Sequence, residues 1–230
     1  MVDAGFNQVF IGIETPESAN LEECSKNQNL NRDMLADIKK IQQAGMQVQG
    51  GFIVGFDNDS PSTFKNLIDF IQNSGIVTAM VGILQAPIGT KLHMRMQNAG
   101  RLIKNFSGDN VDGSTNIITK MQIDHLKTHY RNLLEKIYSP EYFYQRIKTL
   151  LREYKPAKIR FNFNFDKIWR DIGALFLSIF RLGIFGKERK QYWDLFFWAL
   201  FHKPRSFPLA ITYAIYGFHF RMVSDQHVSS

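Results

Sequence analysis

A chain of 230 residues, 44% hydrophobic and 21% charged, is long enough to bury one or two cores and has the composition of an ordinary globular protein. Its net charge of +7 is unevenly spread: residues 1–124 hold 10 Lys and Arg against 13 Asp and Glu, whereas residues 125–230 hold 18 against 8. The single cysteine, Cys24, excludes a disulfide framework and any multi-cysteine metal site.

The chain opens on MVDAGFNQVF, which lacks the basic start and apolar run of a signal peptide, so a cytoplasmic location is expected. QVFIGIE (8–14) reads as a short strand ending in a carboxylate. LNRDMLADIKKIQQAG (30–45) reads as an amphipathic helix, with Asn31 as N-cap, Leu30 and Leu35 as a hydrophobic staple and Gly45 as its stop. A strand follows at 46–56. Ser60 and Pro61 then open a helix that runs to Gly75, and 78–87 is a third strand candidate. Strand, helix, strand, helix, strand with short connections predicts consecutive βαβ units on a parallel sheet. Ligands of such sheets gather at the carboxyl ends of the strands.

Residues 105–118, rich in Gly, Ser, Asn and Asp, read as a linker out of the sheet. Helices are predicted at 119–139, 140–154, 166–185, 188–201 and 207–220. The longest apolar runs, LFFWALF (195–201) and the stretch around 207–218, fall short of a membrane span. No internal repeat is visible.

Three stretches carry chemistry. In IGIETP, Glu14 closes a strand and is suited to a ribose hydroxyl pair or an amine; a solvated strand end is the alternative. In GGFIVGFDND, the glycines Gly50, Gly51 and Gly55 remove side chains where a ligand or another backbone comes close, and Asp57 and Asp59 follow on the ligand side. No GK[ST] follows, so this is not a phosphate loop. In LQAPIGTKLH, Pro87 and Gly89 turn the chain into a helix near Thr90, either to present backbone donors to an anion or simply to turn. His125 and His129 share a helix face without the acid of an HExxH motif or a third ligand, and read as an exposed pair.

In this order, VFIGIETPES, GGFIVGFDND, LQAPIGTKL and the tail KQYWDLFFWALFHKPRSFPLAITYAIYGFHF resemble the C-terminal part of a cobalamin-binding radical S-adenosylmethionine protein. The resemblance implies an α/β fold: a partial (βα) TIM-like barrel with parallel strands over residues 1–115, then an all-α, basic, aromatic-rich C-terminal domain over 119–230. It implies cofactor contacts from Glu14 near the ribose, from Gly51, Ile53 and Gly55 on the strand beside the adenine, and from Pro87 and Thr90 on the next turn. Asn58 stands where many members have Glu. No catalytic or metal-binding residue is assigned to this chain.

The family's CxxxCxxC loop, which holds a [4Fe–4S] cluster, has no counterpart here, and its cobalamin-binding region is expected upstream, so Met1 reads as an internal methionine of a longer ancestral chain. Intact relatives are expected to perform radical methylation or carbon–carbon chemistry on a hydrophobic, lipid-like substrate. This chain alone is expected to be inactive, to need an upstream half carrying the cluster loop, and to self-associate through an uncovered sheet edge. The alternative is a non-catalytic membrane-surface or partner-binding remnant of a split enzyme, peripheral at the inner membrane surface. Interleaved aromatics and cations in 169–221 fit an anionic lipid surface; they do not form a recognisable nucleic-acid module.

Overall fold

A computed structural model describes residues 1–103, 113–156 and 165–228. Most of the predicted linker, and residues 160–164 of the RFNFNF stretch, lie outside the described residues.

Three strands, β1 (Gln8–Glu14), β2 (Gln47–Val54) and β3 (Ala79–Ile83), form a parallel sheet in the order β1-β2-β3. The crossover from β1 carries α1 (Ser18–Glu23) and α2 (Met34–Gln43), and that from β2 carries α3 (Pro61–Ser74). The cap of α2 differs from expectation. Asp33, not Asn31, accepts the Ala36 N–H at 3.0 Å, and Asn31 sits at a φ of 58° in the preceding turn. With the helix starting later, Arg32 and Asp37 occupy the staple positions and form an ion pair at 2.8 Å. The start of α3 follows its sequence signal, with Ser60 and Thr63 in a reciprocal capping box, Pro61 in the first turn and Gly75 left-handed at the end.

Val48, Phe52 and Val54 alternate onto the helix-covered face of the sheet and pack with Ile38, Phe64, Leu67 and Ile71. The other face carries Phe10, Gln49, Gly51, Ile53 and Met80, with Phe10 55% exposed. Past β3, Thr90 caps α4 (Lys91–Asn98). Then α5 (Ile123–Tyr138) returns across the sheet, although it falls on the helical side of the expected boundary. Leu126, Tyr130, Leu133 and Ile137 enter the sheet's own core. Gly50 N–H bonds Thr78 O, and Leu84 N–H bonds Val54 O, so the carbonyls of Ala79 and Val81 point off the sheet edge. Tyr138 and Tyr130 donate their hydroxyls to those two carbonyls, at 2.7 and 2.9 Å. The β3 edge is thereby closed, whereas β1 has no strand on its outer side among the described residues.

The remaining helices build a second core. α6 (Pro140–Glu153) packs against α3 on one side and against α8 (Arg189–His202) and α9 (Phe207–Val228) on the other. α7 (Phe165–Ser178) runs into a π-helical turn, Ile179–Ile184, where the sequence predicts one continuous helix. No helix among the described residues is long and apolar enough to cross a membrane.

Gly75 ties the two cores together. A Cβ there would lie 2.9 Å from both Cα and N of Leu150 in α6, and its φ is +69°. Gly75→Ala therefore meets a left-handed backbone and a backbone clash at once. It should lower unfolding free energy by about 2 kcal/mol or more. Gly173→Ala, in an ordinary helical conformation with nothing near its Cβ, should leave stability unchanged or raise it by up to about 1 kcal/mol. Urea unfolding of both variants beside wild type checks the contrast.

Candidate functional site

At the carboxyl ends of the strands lies a cleft of about 600 Å³ whose walls include Glu14, Cys24, Lys26, Ile53, Phe56, Leu84, Thr90 and Arg95. Of the six residues proposed from sequence, Glu14, Ile53 and Thr90 line this cleft; Gly51, Gly55 and Pro87 do not.

Glu14 is held in an unusual state. The β1–β2 register slips between Gly12 and Glu14, the Thr15 N–H donates to the Ile13 carbonyl at 2.9 Å, and Glu14 has a φ of 67°. This matches the positive-φ form of the γ-turn, which is rare and strained. Lys26 holds the carboxylate at 2.8 Å, and Asn29 donates to the Ile13 carbonyl at 3.4 Å. Gly12 makes room for the Glu14 side chain, because a Cβ there would lie 2.7 Å from Glu14 Oε1. Strain of this kind persists only where surrounding contacts enforce it, and it concentrates at functional sites.

The glycines of β2 do not leave open space. A Cβ on Gly50 would meet the Phe52 ring at 2.8 Å and Ile76 at 3.1 Å, and one on Gly51 would meet the Phe10 ring at 2.9 Å. Gly55 takes a φ of +98° with Ile83 and Leu126 at 3.3 Å from its Cβ position. The room expected for a flat ligand is thus occupied by the protein's own side chains, of which Phe10 alone is exposed and the rest are buried.

The two acids after β2 serve the loop. Asp59 accepts from Gly55 N at 2.6 Å, Phe56 N at 3.0 Å and Asn20 Nδ2 at 2.6 Å, while burial pushes its carboxyl above the ordinary range. Asp57 is gripped by Arg101 through two bonds of 2.7 Å, with Lys120 at 3.7 Å. The hydrogen bonds from Arg101 hold the Asp57 carboxyl below its usual value. Pro87 contributes its carbonyl, which accepts the Thr90 hydroxyl at 2.8 Å, while Thr90 Oγ1 accepts the His93 N–H at 3.1 Å.

Two residues not anticipated from sequence organise the rim. Glu23 accepts Asp57 N at 3.0 Å, Asn58 Nδ2 at 3.3 Å and Arg95 Nη2 at 2.8 Å, joining α1, the β2 loop and α4. Asn116 pairs its amide with both backbone groups of Ala86, at 2.8 and 2.9 Å. Cys24 sits in the cleft wall with burial raising its thiol pKa, so it is not a ready thiolate. Of the histidine pair, His129 stacks on Phe64 at 5.0 Å and His125 is exposed. No group of three or more metal-ligating side chains occurs among the described residues. A second cleft, about 1290 Å³, opens at the far ends of the strands between Gln8, Gln47 and the helical tail, with Tyr213 donating to Gln47 at 2.8 Å.

Residues 90–230 match a family described as a domain of unknown function, DUF4070. The chain is 29% identical over 222 residues to an uncharacterized methyltransferase of Synechocystis sp., covering 96% of this chain and 41% of that protein. It is 28% identical over 198 residues to the hopanoid C-2 methylase of Rhodopseudomonas palustris, covering 84% of this chain and 36% of that protein. The chain thus spans about two fifths of the length of the curated relatives it matches.

The Asp57–Arg101 pair gives a pH test. Because the folded pKa of Asp57 is depressed, its stabilisation is present above the unfolded carboxylate value of about 3.9 and is lost as pH falls through the lower folded value. Asp57→Asn should therefore destabilise by about 1–2 kcal/mol at pH 7, and the gap to wild type should narrow below about pH 4. Denaturant midpoints measured at pH 7 and pH 3 check this.

Proposed function

The chain belongs to the DUF4070 family, and from that premise we propose that it forms part of a cobalamin-binding radical S-adenosylmethionine methyltransferase acting on a hydrophobic, lipid-like substrate. The observation that carries the reading is the strained Glu14 carboxylate in a cleft at the carboxyl ends of parallel strands. Similarity over nearly the whole chain to proteins named as a methyltransferase and a methylase supports it. On this reading the sheet is part of a (βα) barrel over residues 1–115, and the helical region from 119 is the second domain.

The cleft residues fit the adenosine part of S-adenosylmethionine. Glu14 has an oxygen beyond the one held by Lys26 and is placed to accept from a ribose hydroxyl. Ile53, Phe56 and Leu84 supply an apolar wall of the kind that excludes water from a purine face. Thr90 fixes the start of α4 beside them, and Glu23 with Arg95 ties that helix to the β2 loop. In such enzymes bound S-adenosylmethionine supplies the sulfonium on which methyl transfer and radical chemistry depend. A [4Fe–4S] cluster does not fit this chain, because one cysteine cannot ligate it. The cluster and cobalamin would be held by an upstream half, as a partner or as the rest of a longer protein.

Calorimetric titration of S-adenosylmethionine into the chain combined with an upstream half from a relative tests the proposal. Binding is expected, and Glu14→Ala should weaken it about 10- to 100-fold, the loss of a charge-assisted hydrogen bond. Equal affinity in the variant and wild type would remove Glu14 from the site, and no binding in the combined protein would remove the cofactor reading altogether.

A further inference from the structure

Along α7 and the π-helical turn, Trp169, Ile172, Phe176, Phe180 and Ile184 recur at steps of three or four residues and are all exposed. Trp169 is 73% exposed, Phe176 68% and Phe185 71%, values that leave most of each residue in solvent. The flank of the same segment next to the stripe already faces the core through Leu175, Ile179 and Leu182. The outer stripe is therefore not needed to hold the tail together.

The stripe is built rather than accidental. The π turn closes an i→i+5 bond from Phe185 N to Phe180 O at 3.3 Å and brings those two rings to 4.8 Å in an edge-on pair at the surface. Gly186 permits the turn, since a Cβ there would meet the Leu182 carbonyl at 2.6 Å. From this turn the apolar surface continues onto α8. Trp193 donates to Gly183 O at 3.0 Å and stacks on Phe197, which stacks on exposed Phe201.

Cations border it. Arg170, Arg181, Lys187, Arg189 and Lys190 are exposed and lie within a few residues of the stripe. Of the nearby acids, Glu188 is buried against Arg221 at 2.7 Å and Asp194 pairs with Lys148 at 2.6 Å, which leaves exposed Asp171 beside Ile172 as the one carboxylate on the described part of α7 against these five cations. An apolar helix face with a terminal Trp and a basic margin is complementary to an anionic lipid surface, where the rings enter the headgroup boundary and the cations meet phosphates. A protein partner would have to bring both a large apolar groove and a surrounding acidic rim.

We propose that the α7–π-turn segment docks this chain, as a monotopic element, on an anionic membrane surface. This goes beyond the cofactor reading and stands independently of it. Ile172 belongs both to the stripe and to the wall of the 1290 Å³ cleft, so docking places that cleft's rim at the lipid.

Co-sedimentation of the full 230-residue chain with vesicles of phosphatidylcholine containing about 30% phosphatidylglycerol tests this. Wild type should pellet at low salt, and the bound fraction should fall roughly tenfold in Phe176→Asp/Phe180→Asp and severalfold in Lys187→Gln/Arg189→Gln/Lys190→Gln. Unchanged far-ultraviolet circular dichroism would show that these surface variants still fold. Wild type remaining in the supernatant overturns the proposal. So does self-association without vesicles that Phe176→Asp/Phe180→Asp abolishes, which would make the stripe a contact between copies. S-adenosylmethionine affinity should not change in either variant, so the two proposals fail separately.

Discussion

Helix α6 is the shared wall on which both cores depend. On one side its backbone touches the end of α3, where Gly75 and Leu150 approach too closely for any side chain. On the other, Phe143, Ile147, Leu150 and Leu151 fill the tail core. Between the two sits Arg146, fully buried, bonded to Val77 O at 3.3 Å and Gln72 Oε1 at 3.5 Å, with its guanidinium over the Phe143 ring. Burial lowers its pKa to about 10, so it remains a cation at neutral pH without a carboxylate partner among its described contacts. Such a group adds little to stability by itself. Its bonds instead fix where α6 lies relative to the chain entering β3, and therefore where the tail lies relative to the sheet.

That placement has a consequence for the candidate cleft. The strands enter from the end where α6 and α9 are packed, and their carboxyl ends are left to short loops. Those loops are held by charge: Asp57 with Arg101, Glu23 with Arg95, Glu14 with Lys26. Partly buried pairs with several hydrogen bonds order a loop better than exposed ones do. They hold Glu14 in a backbone state that isolated peptide would leave. The rim is therefore organised before any ligand arrives, which reduces the ordering that binding must supply.

Much of this was legible in the sequence because local rules acted unopposed. Ser60-Pro61 and Gly75 bracket α3 as their chemistry requires, and β1 and β2 follow the period of strands. The cap at Asp33 was misplaced by sequence because Asn31 and Asp33 are both competent, and only the turn geometry chooses between them. Glu23 and Asn116 were invisible for a different reason. Each works through partners more than 25 residues away, and a single polar side chain carries no period that would announce it. From sequence the β2 glycines read as places where a ligand or another backbone comes close. What approaches is Phe10, Phe52 and Ile76 of the same chain, a distinction that spacing does not contain.

The tail shows the opposite failure. From 165 to 222 apolar residues fall on nearly every helical face, so the pattern names helices without saying which sides are buried. The structure resolves this by shape. The π turn adds a residue to the helical repeat, rotating Phe180 and Phe185 outward together while Gly183 lets α8 approach with Tyr192 and Trp193 at 3.2 Å from its Cβ position. An ordinary α-helix through the same residues would separate those rings and turn the second toward a different side. Packing explains Leu182 and Gly183, but it does not explain why the residues opposite them are Phe, Ile and Trp when Lys or Glu would serve a solvated face equally well. Water alone does not select such a surface, and the basic residues along its margin narrow what does.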